Sequence, residues 1–589
     1  LVLFSSVTIA ILMNYFIQFS LGRTEPFIGV YFTIPDAILF QILLLSALLI
    51  FVYILINQYW ISTCAILIVV PAFIIANFIK FAMRTEPVLP SDLAWLSKPM
   101  TLLGFIDKSK FVMIILFLFL TTIILIFGRK YLFKGRIIQS KILQFAILLL
   151  LFLGFKNVMD IFKEKENGKI RPGVPIISTL NNYHDINWLG NTTNARYKGL
   201  SYVWINQLTT EVILKPDGYS KERLEKIAQK YTHLSDSINQ ERANYLNDQT
   251  VIYVLSESFS DPRKVEGVEL TENPIPNIEN IMKTHTSGQM HSDGYGGGTA
   301  NMEFQSLTGL PFYNLSPSIS VAYTEVVPKM NKFPVISDQF EAKNRIAIHL
   351  AAPTNYSRNV IYKSLGYSKF VSLITKGLDV HYQGVNYSDS SSYQLILDNM
   401  KDSQNQFFSV MTMQNHSPWK EEEPNNIEAS NSNFSSDEND QLTNYTRLLY
   451  HTDVATKDFL DQLSKINKKI TVVFYGDHLP GLYPQSAFKN NPESQYLTDY
   501  FVWSNYETPK LDYPIVNSSD FTALLLEQTN SKVSPYYALL TEVLHKASVD
   551  KKDLDAEGQK IAEDLKLVQY DMVAGKGYLS KDFFKVHSE

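Results

Sequence analysis

The chain has 589 residues, a formal net charge of −5 and a hydrophobic fraction of 46%. The length calls for more than one structural unit, and the absence of a clustered basic face argues against nucleic acid as a partner. Its single cysteine, Cys64, excludes a disulfide within the chain, so a soluble part must rely on its own core, which ~340 residues can supply.

The apolar residues concentrate in the first quarter. A helix crossing a bilayer needs about 20 mostly apolar residues, and candidates fall at about 1–21, 35–57, 60–80, 111–128 and 139–156. Arg129, Lys130, Lys134 and Arg136 lie between the fourth and fifth. Basic loops stay in the cytoplasm, so the fifth span exits outward and everything after about 157 is expected outside the cell. Four further spans argue against a signal peptide at 1–21.

Residues 157–245 are mixed and charged, with helical spacing of Leu224, Ile227 and Tyr231, and read as a juxtamembrane linker. Two β-branched apolar runs follow, Thr250–Ser256 and Ile470–Tyr475. Helical stretches are expected between them at about 299–309, 334–343 and 440–465, with a polar loop over 420–446. Strands alternating with helices predict a mostly parallel sheet flanked by helices, whose ligands gather at the carboxyl ends of the strands. The expected division is a five-span transmembrane domain over 1–156, a linker over 157–245, an α/β domain over 246–545 and a helical tail over 546–589.

Four features of the soluble part carry chemistry. Glu257 ends the first run, and Asp477-His478 ends the second after Gly476. Carboxylate plus imidazole suits Mn²⁺, Zn²⁺ or Fe²⁺, although a lone acid at a strand end also serves as a turn or cap. Gly294-Tyr-Gly-Gly-Gly-Thr299 opens a helix whose free N–H groups can cradle a phosphate. No Gly-Lys-Ser/Thr follows, so it is not a nucleotide P-loop; a flexible turn is the plainer reading. His349, Tyr356, Arg358 and His416 offer phosphate and hydroxyl binders, and each by itself also fits a surface or core position.

Taken in order, these features resemble the lipoteichoic acid synthase and phosphoglycerol transferase family of the alkaline phosphatase–sulfatase superfamily. The resemblance runs through Ser256-Glu257-Ser258-Phe259, Gly296-Gly-Gly-Thr299-Ala-Asn-Met-Glu303-Phe304, His349 to Arg358, Tyr362 to Tyr367, Asn415-His416-Ser417-Pro418 and Tyr475-Gly476-Asp477-His478. Lys215-Pro-Asp-Gly-Tyr-Ser220 looks like the family's linker, and Gln569-Tyr570-Asp571 with Gly575-Lys576-Gly577-Tyr578 looks like its C-terminal signature.

The resemblance implies a sulfatase-like α/β domain outside the cell membrane, as in a Gram-positive bacterium. It implies one divalent ion, often Mn²⁺ with Mg²⁺ or Zn²⁺ as alternatives, held by Glu257, Thr299, Asp477 and His478. Thr299 would be the nucleophile; His349, Tyr356, Arg358 and His416 would hold the glycerol-phosphate group. The implied donor is phosphatidylglycerol, and the implied acceptor a glycolipid, teichoic acid chain or polysaccharide. Two departures bear on the acceptor. The polymerases carry tryptophan where this chain has Tyr356, and their nucleophile segment lacks the Gly-Gly-Gly-Thr-Ala-Asn sequence, which looks like a broader branch that decorates other glycans. Rival readings are a phosphoethanolamine transferase, a sulfatase (no Cys/Ser-x-Pro-x-Arg motif supports it) and a non-catalytic membrane scaffold.

Overall fold

The computed structural model describes residues 1–21, 35–84, 87–90, 92, 119, 123, 135–165, 169–174, 176–182, 190–316, 319–549 and 553–586. Contact density divides the chain into two units. One comprises Leu1–Val212, Pro317–Ser320 and Thr354–Val360; the other comprises Ile213–Ser316, Val321–Pro353 and Ile361–Glu589. The boundary after Val212 falls inside the segment expected to be a linker.

In the first unit, helices α1 (Val2–Ser20), α2 (Pro35–Ile56), α3 (Tyr59–Arg84) and α4 (Lys141–Lys163) follow from long apolar runs. Among the described residues these four are long and apolar enough to cross a membrane, which marks a membrane protein. The span expected at 111–128 lies outside the described residues except for 119 and 123, as does most of the basic loop at 129–136. Helix α4 starts where Ser140 accepts a hydrogen bond from Leu143 N–H, and it runs to Lys163, beyond the expected end. Some polar groups inside this unit pair with one another, since lipid offers no partner: Gln41 Nε2 donates to Asn14 Oδ1 at 2.5 Å and Asn77 Nδ2 to Ser20 Oγ at 2.6 Å.

The second unit is built on an eight-stranded sheet. Its strands are β1 (Thr250–Ser256), β2 (Thr286–His291), β3 (Arg345–His349), β4 (Lys369–Ser372), β5 (Phe407–Met411), β6 (Ile470–Gly476), β7 (Leu497–Ser504) and β8 (Ile515–Asn517). Their order is β8-β2-β7-β6-β1-β5-β3-β4. Only β7 runs against the rest of this sheet. Every residue of β1 and β6 is buried, as expected of parallel strands covered on both faces. Ile252, Val254, Val472 and Phe474 share one hydrophobic cluster with Tyr393, Leu442 and Leu449. The alternating residues point the other way: Tyr475 packs its ring on Phe521, and Tyr253 OH donates to the Phe521 carbonyl.

Helix α5 (Lys221–Glu241) packs against α8 (Pro535–Lys546) and α9 (Ala556–Val573) within this unit. Helices α6 (Thr299–Thr308) and α7 (Ser436–Leu463) match expectation closely. Two expectations fail. Residues 334–343 form two 3₁₀ turns, Ile336–Gln339 and Ala342–Asn344, rather than a helix. Asp338 accepts from Val335 N–H at 3.1 Å and pairs with Arg345 at 2.8 Å, and such local side-chain bonds compete with helix formation. The polar run 420–446 is not loop throughout. It holds a short strand, Ala429–Ser430, and from Ser436 it belongs to α7, started by a Ser435–Glu438 capping box.

Candidate active site

The carboxyl ends of β1 and β6 lie side by side. Ser256 pairs with Gly476, so the next residues, Glu257 and Asp477, leave the sheet together. Glu257 is 3%, Asp477 0% and His478 3% exposed, burial that charged groups tolerate only when paired or metal-bound. Their ligand atoms lie within 4.8 Å of one another, as a metal site requires.

The turns after both strands are tightly constrained. Ser258 holds a left-handed backbone, φ +51°, which is costly for a residue with a Cβ. Three bonds keep it there. Its N–H donates to Asp477 Oδ1 at 2.8 Å, its Oγ donates to Glu257 Oε1 at 2.9 Å, and Tyr445 OH donates to its carbonyl at 2.7 Å. A Cβ on Gly476 would meet the Phe259 carbonyl oxygen at 1.8 Å, so only glycine permits this approach.

Thr299 is the first residue of α6, after Gly298, and is 7% exposed. Its Oγ1 lies 3.5 Å from His478 Nε2. The Thr299 and Ala300 N–H groups at the start of this helix point along its axis and suit an anion, while the Asn301 N–H donates to the Gly298 carbonyl. The glycine-rich turn is tied to the loop after His478: Gly296 N–H donates to the Leu479 carbonyl at 3.0 Å, and Tyr295 OH donates to the Tyr483 carbonyl at 2.9 Å.

His478 Nδ1–H donates to the Leu479 carbonyl at 2.9 Å, which leaves the Nε2 lone pair as a ligand. That atom lies 3.2 Å from Asp477 Oδ2 and 3.7 Å from Glu257 Oε1. Burial opposes charge on His478, but the carboxylates of Asp477 and Glu257 outweigh it and raise its pKa. Asp477 is pushed up to about 6, first by burial and then by Glu257. Asp477 Oδ2 is buried and takes no well-formed hydrogen bond among the described residues, while the nearby Thr299 side chain favours the Asp477 carboxylate. Crowded acceptors, one of them orphaned, fit a divalent cation of the Mn²⁺, Mg²⁺ or Zn²⁺ type.

The other sequence candidates divide. His349 ends β3, and its Nδ1–H donates to the Met411 carbonyl at 3.0 Å. It is level with Met411, which is level with Leu255. Two strand spacings, roughly 10 Å, therefore separate it from β1. His416 follows β5, half-buried, with Nδ1–H donating to the Ser417 carbonyl at 2.6 Å. Tyr356 and Arg358 belong to the first unit. There Arg358 lies over the Tyr356 ring at 4.8 Å, and Ser357 Oγ accepts from Asn191 N–H at 3.4 Å.

Sequence reasoning missed the groups behind Glu257. Thr412 Oγ1 accepts from Glu257 N–H at 3.2 Å. Buried Asp389 accepts from Thr452 Oγ1 at 2.6 Å, and Asn415 Nδ2 donates to Thr452 Oγ1 at 3.0 Å. Burial pushes Asp389 up to about 6. Its sequence context, a serine-rich helix start, carries no signal of this. Glu303, four residues after Thr299, accepts from Tyr323 OH at 3.0 Å and Tyr362 OH at 2.7 Å, which gives the Tyr362 segment a structural purpose.

A family profile described as Sulfatase matches residues 249–531. Two curated relatives come from Rhizobium meliloti (strain 1021). One, named provisionally as a cyclic beta-1,2-glucan modification protein, is 25% identical over 484 residues, 77% of this chain and 72% of the relative. The other, the capsular polysaccharide biosynthesis protein RkpI, is 26% identical over 260 residues, 43% of this chain and 44% of the relative. Among solved structures, the Streptococcus pyogenes phosphoglycerol transferase GacH in complex with sn-glycerol-1-phosphate is 54% identical with a TM-score of 0.63, covering 64% of this chain and 100% of that one. Identity at that level across the whole of a solved chain, with the sulfatase-type fold and its acid, threonine and Asp-His order, makes this chain a member of the phosphoglycerol transferase family, in the alkaline phosphatase superfamily.

Proposed function

We propose that the protein transfers sn-glycerol-1-phosphate from phosphatidylglycerol to a cell-envelope acceptor on the outer face of the membrane, through a phosphoglyceryl-threonine at Thr299. The observation that carries this reading is the convergence of the Thr299 hydroxyl with Glu257, Asp477 and His478 at a helix N-terminus. A 54% identical relative solved with sn-glycerol-1-phosphate supports the same substrate group.

Glu257, Asp477, His478 and Thr299 would hold the divalent ion, Mn²⁺ first among the candidates. Such an ion supplies Lewis-acid charge that lowers the pKa of a coordinated hydroxyl and offsets charge on phosphoryl oxygens. Thr299 Oγ1 then attacks phosphorus and forms the new P–O bond. The P–O bond to diacylglycerol breaks, and the leaving oxygen takes up a proton in place of the one the Thr299 hydroxyl released to solvent. The N–H groups of the first turn of α6 favour the phosphoryl charge. Arg358, Tyr356, His349 and His416 are assigned to the glycerol-phosphate group. In the second half, an acceptor hydroxyl attacks phosphorus from the side opposite Thr299 and gives its proton to His416 or His349; the P–O bond to Thr299 breaks, and the threonine oxygen takes a proton back from solvent as the histidine gives its own up. The apolar helices α1–α4 would anchor the chain in the membrane that holds the lipid donor.

Decoration of a polysaccharide, rather than extension of a teichoic acid or glycolipid, has a specific observation behind it: both Rhizobium meliloti relatives carry glycan names. The test uses full-length protein in micelles with fluorescent phosphatidylglycerol and Mn²⁺. Wild type releases diacylglycerol, and Thr299→Ala releases it roughly 10⁴-fold more slowly. Equal release by both proteins removes the mechanism. Release from phosphatidylethanolamine instead would favour the phosphoethanolamine reading, sulfate-ester cleavage the sulfatase, and no metal binding the scaffold.

A further inference from the structure

A stacked pair of tyrosines lies beside the His416 segment, with Tyr387 packed on the core and Tyr382 in water. Tyr382–Gln383 and Asn386–Tyr387 form a small antiparallel hairpin. Tyr382 and Tyr387 face each other in register, their ring centroids 4.4 Å apart and their planes 22° apart. Tyr382 is still 60% exposed. One face of its ring rests on Tyr387, and the other is open.

A hairpin this short is unstable by itself, so its tethers set the ring. Asn386 Nδ2 donates to the His416 carbonyl at 2.6 Å, and Gln383 Nε2 donates to Glu421 Oε2 at 2.5 Å. Gly384 turns at φ +63°, where a Cβ would meet the Lys420 carbonyl oxygen at 2.6 Å. On its other side, the Ser388 N–H donates to the His381 carbonyl at 2.9 Å, and Ser388 caps the helix Asp389–Asn399. The ring is therefore held in place before any ligand arrives, and the tether ends on the residue assigned above to the acceptor hydroxyl.

A cross-strand tyrosine pair also stabilises a hairpin without binding anything. Tyr387 serves that purpose by packing against the core, whereas Tyr382 keeps a face open on a hairpin whose Asn386 side chain is bonded to the His416 carbonyl. The surroundings select the occupant. Glu421, taken up by Gln383 and by the N–H groups of Glu422 and Glu423, is followed by exposed Glu422 and Glu423, a local excess of acid that disfavours polyanions and anionic lipid. An uncharged pyranose suits both features: its flat C–H face stacks on an aromatic ring, and its hydroxyls meet amide and carboxylate groups.

We propose that the open face of Tyr382 is a subsite for an uncharged glycan acceptor, which stacks one sugar ring there and so brings the chain to His416. The inference rests on the phosphoglycerol-transfer reading for its role but names the acceptor that reading leaves open. It disfavours a growing poly(glycerol phosphate) chain.

The probe is envelope polysaccharide from the producing cell, stripped of phosphate substituents with hydrofluoric acid. Full-length wild type, Tyr382→Ala and Tyr382→Phe in micelles are compared, with equal Mn²⁺ binding as the check on folding. In binding without donor, Tyr382→Ala weakens affinity about 10-fold, Tyr382→Phe keeps it within about 3-fold, and poly(glycerol phosphate) does not compete. In turnover, Tyr382→Ala raises KM for polysaccharide by a similar factor, and kcat moves less than about 2-fold. No binding by wild type, unchanged binding by Tyr382→Ala, or competition by poly(glycerol phosphate) overturns the subsite. Binding as described without diacylglycerol release from phosphatidylglycerol overturns the transfer reading and leaves the subsite standing.

Discussion

Two buried aspartates in motifs of the same kind behave oppositely. Asp571, in the C-terminal signature, is fully satisfied. Its Oδ1 accepts from Tyr219 OH at 2.5 Å and Tyr578 N–H at 2.9 Å, and its Oδ2 accepts from Leu579 N–H at 3.0 Å. Tyr219 comes from the Lys215–Ser220 segment, and its ring also meets Tyr570 and Tyr578. Asp477 has two backbone bonds on Oδ1 and none on Oδ2. A buried carboxylate that spends both oxygens on its own chain clasps the fold. One that holds an oxygen back beside a second acid and an imidazole is poised for a cation.

The comparison can be broken from either side. The largest effect is expected at the metal turn. Gly476→Ala drives a Cβ into the Phe259 carbonyl, and should cost roughly 3 kcal/mol in urea unfolding. Mn²⁺ affinity by titration calorimetry should fall at least about 10-fold with it. Retained affinity would mean that Glu257 is not positioned by this turn.

The support behind Glu257 should show itself in pH dependence. Asp389 is raised to about 6 by burial. A carboxyl raised on folding stabilises the fold when protonated. Its contribution is therefore complete below about pH 4 and is lost as pH rises through about 6. With metal chelated, wild type should lose on the order of 3 kcal/mol more than Asp389→Asn between pH 4 and pH 7.5. Parallel melting curves would assign Asp389 an ordinary structural role.

The clasp should respond in stability alone. Tyr219→Phe removes donors and acceptors around Asp571 and Lys576 N–H. A loss of about 1–2 kcal/mol is expected, with diacylglycerol release at 25 °C within about 2-fold of wild type. A large kinetic effect would erase the distinction between the two aspartates. The smallest effect is expected at the exposed Lys457–Asp461 pair of α7: Lys457→Ala should move stability by less than about 0.5 kcal/mol.

Much of this arrangement was legible in the chain. The β1 and β6 runs, the acids that end them and the glycine-rich approach to Thr299 were all visible as local patterns. Residues 334–343 were misread because Asp338 finds Arg345 and Val335 N–H, a choice no helical periodicity records. The Ser435–Glu438 capping box was present in the sequence but masked by the asparagine and serine around it. Asp389, Thr412 and Tyr445 had no local signature, because their importance lies in partners more than twenty residues away.

By itself the sequence determined the two central strands β1 and β6, the membrane helices α1–α4 and the order of ligand types, because strand and span formation depend on near neighbours and on solvent. Only the tertiary structure decided that Ser256 sits level with Gly476, that the Lys215–Ser220 and Tyr570–Tyr578 motifs form one clasp, and that Tyr382 stands open beside His416. Those outcomes depend on register and long-range packing, where a one-residue slip would turn every side chain to the other face of the sheet.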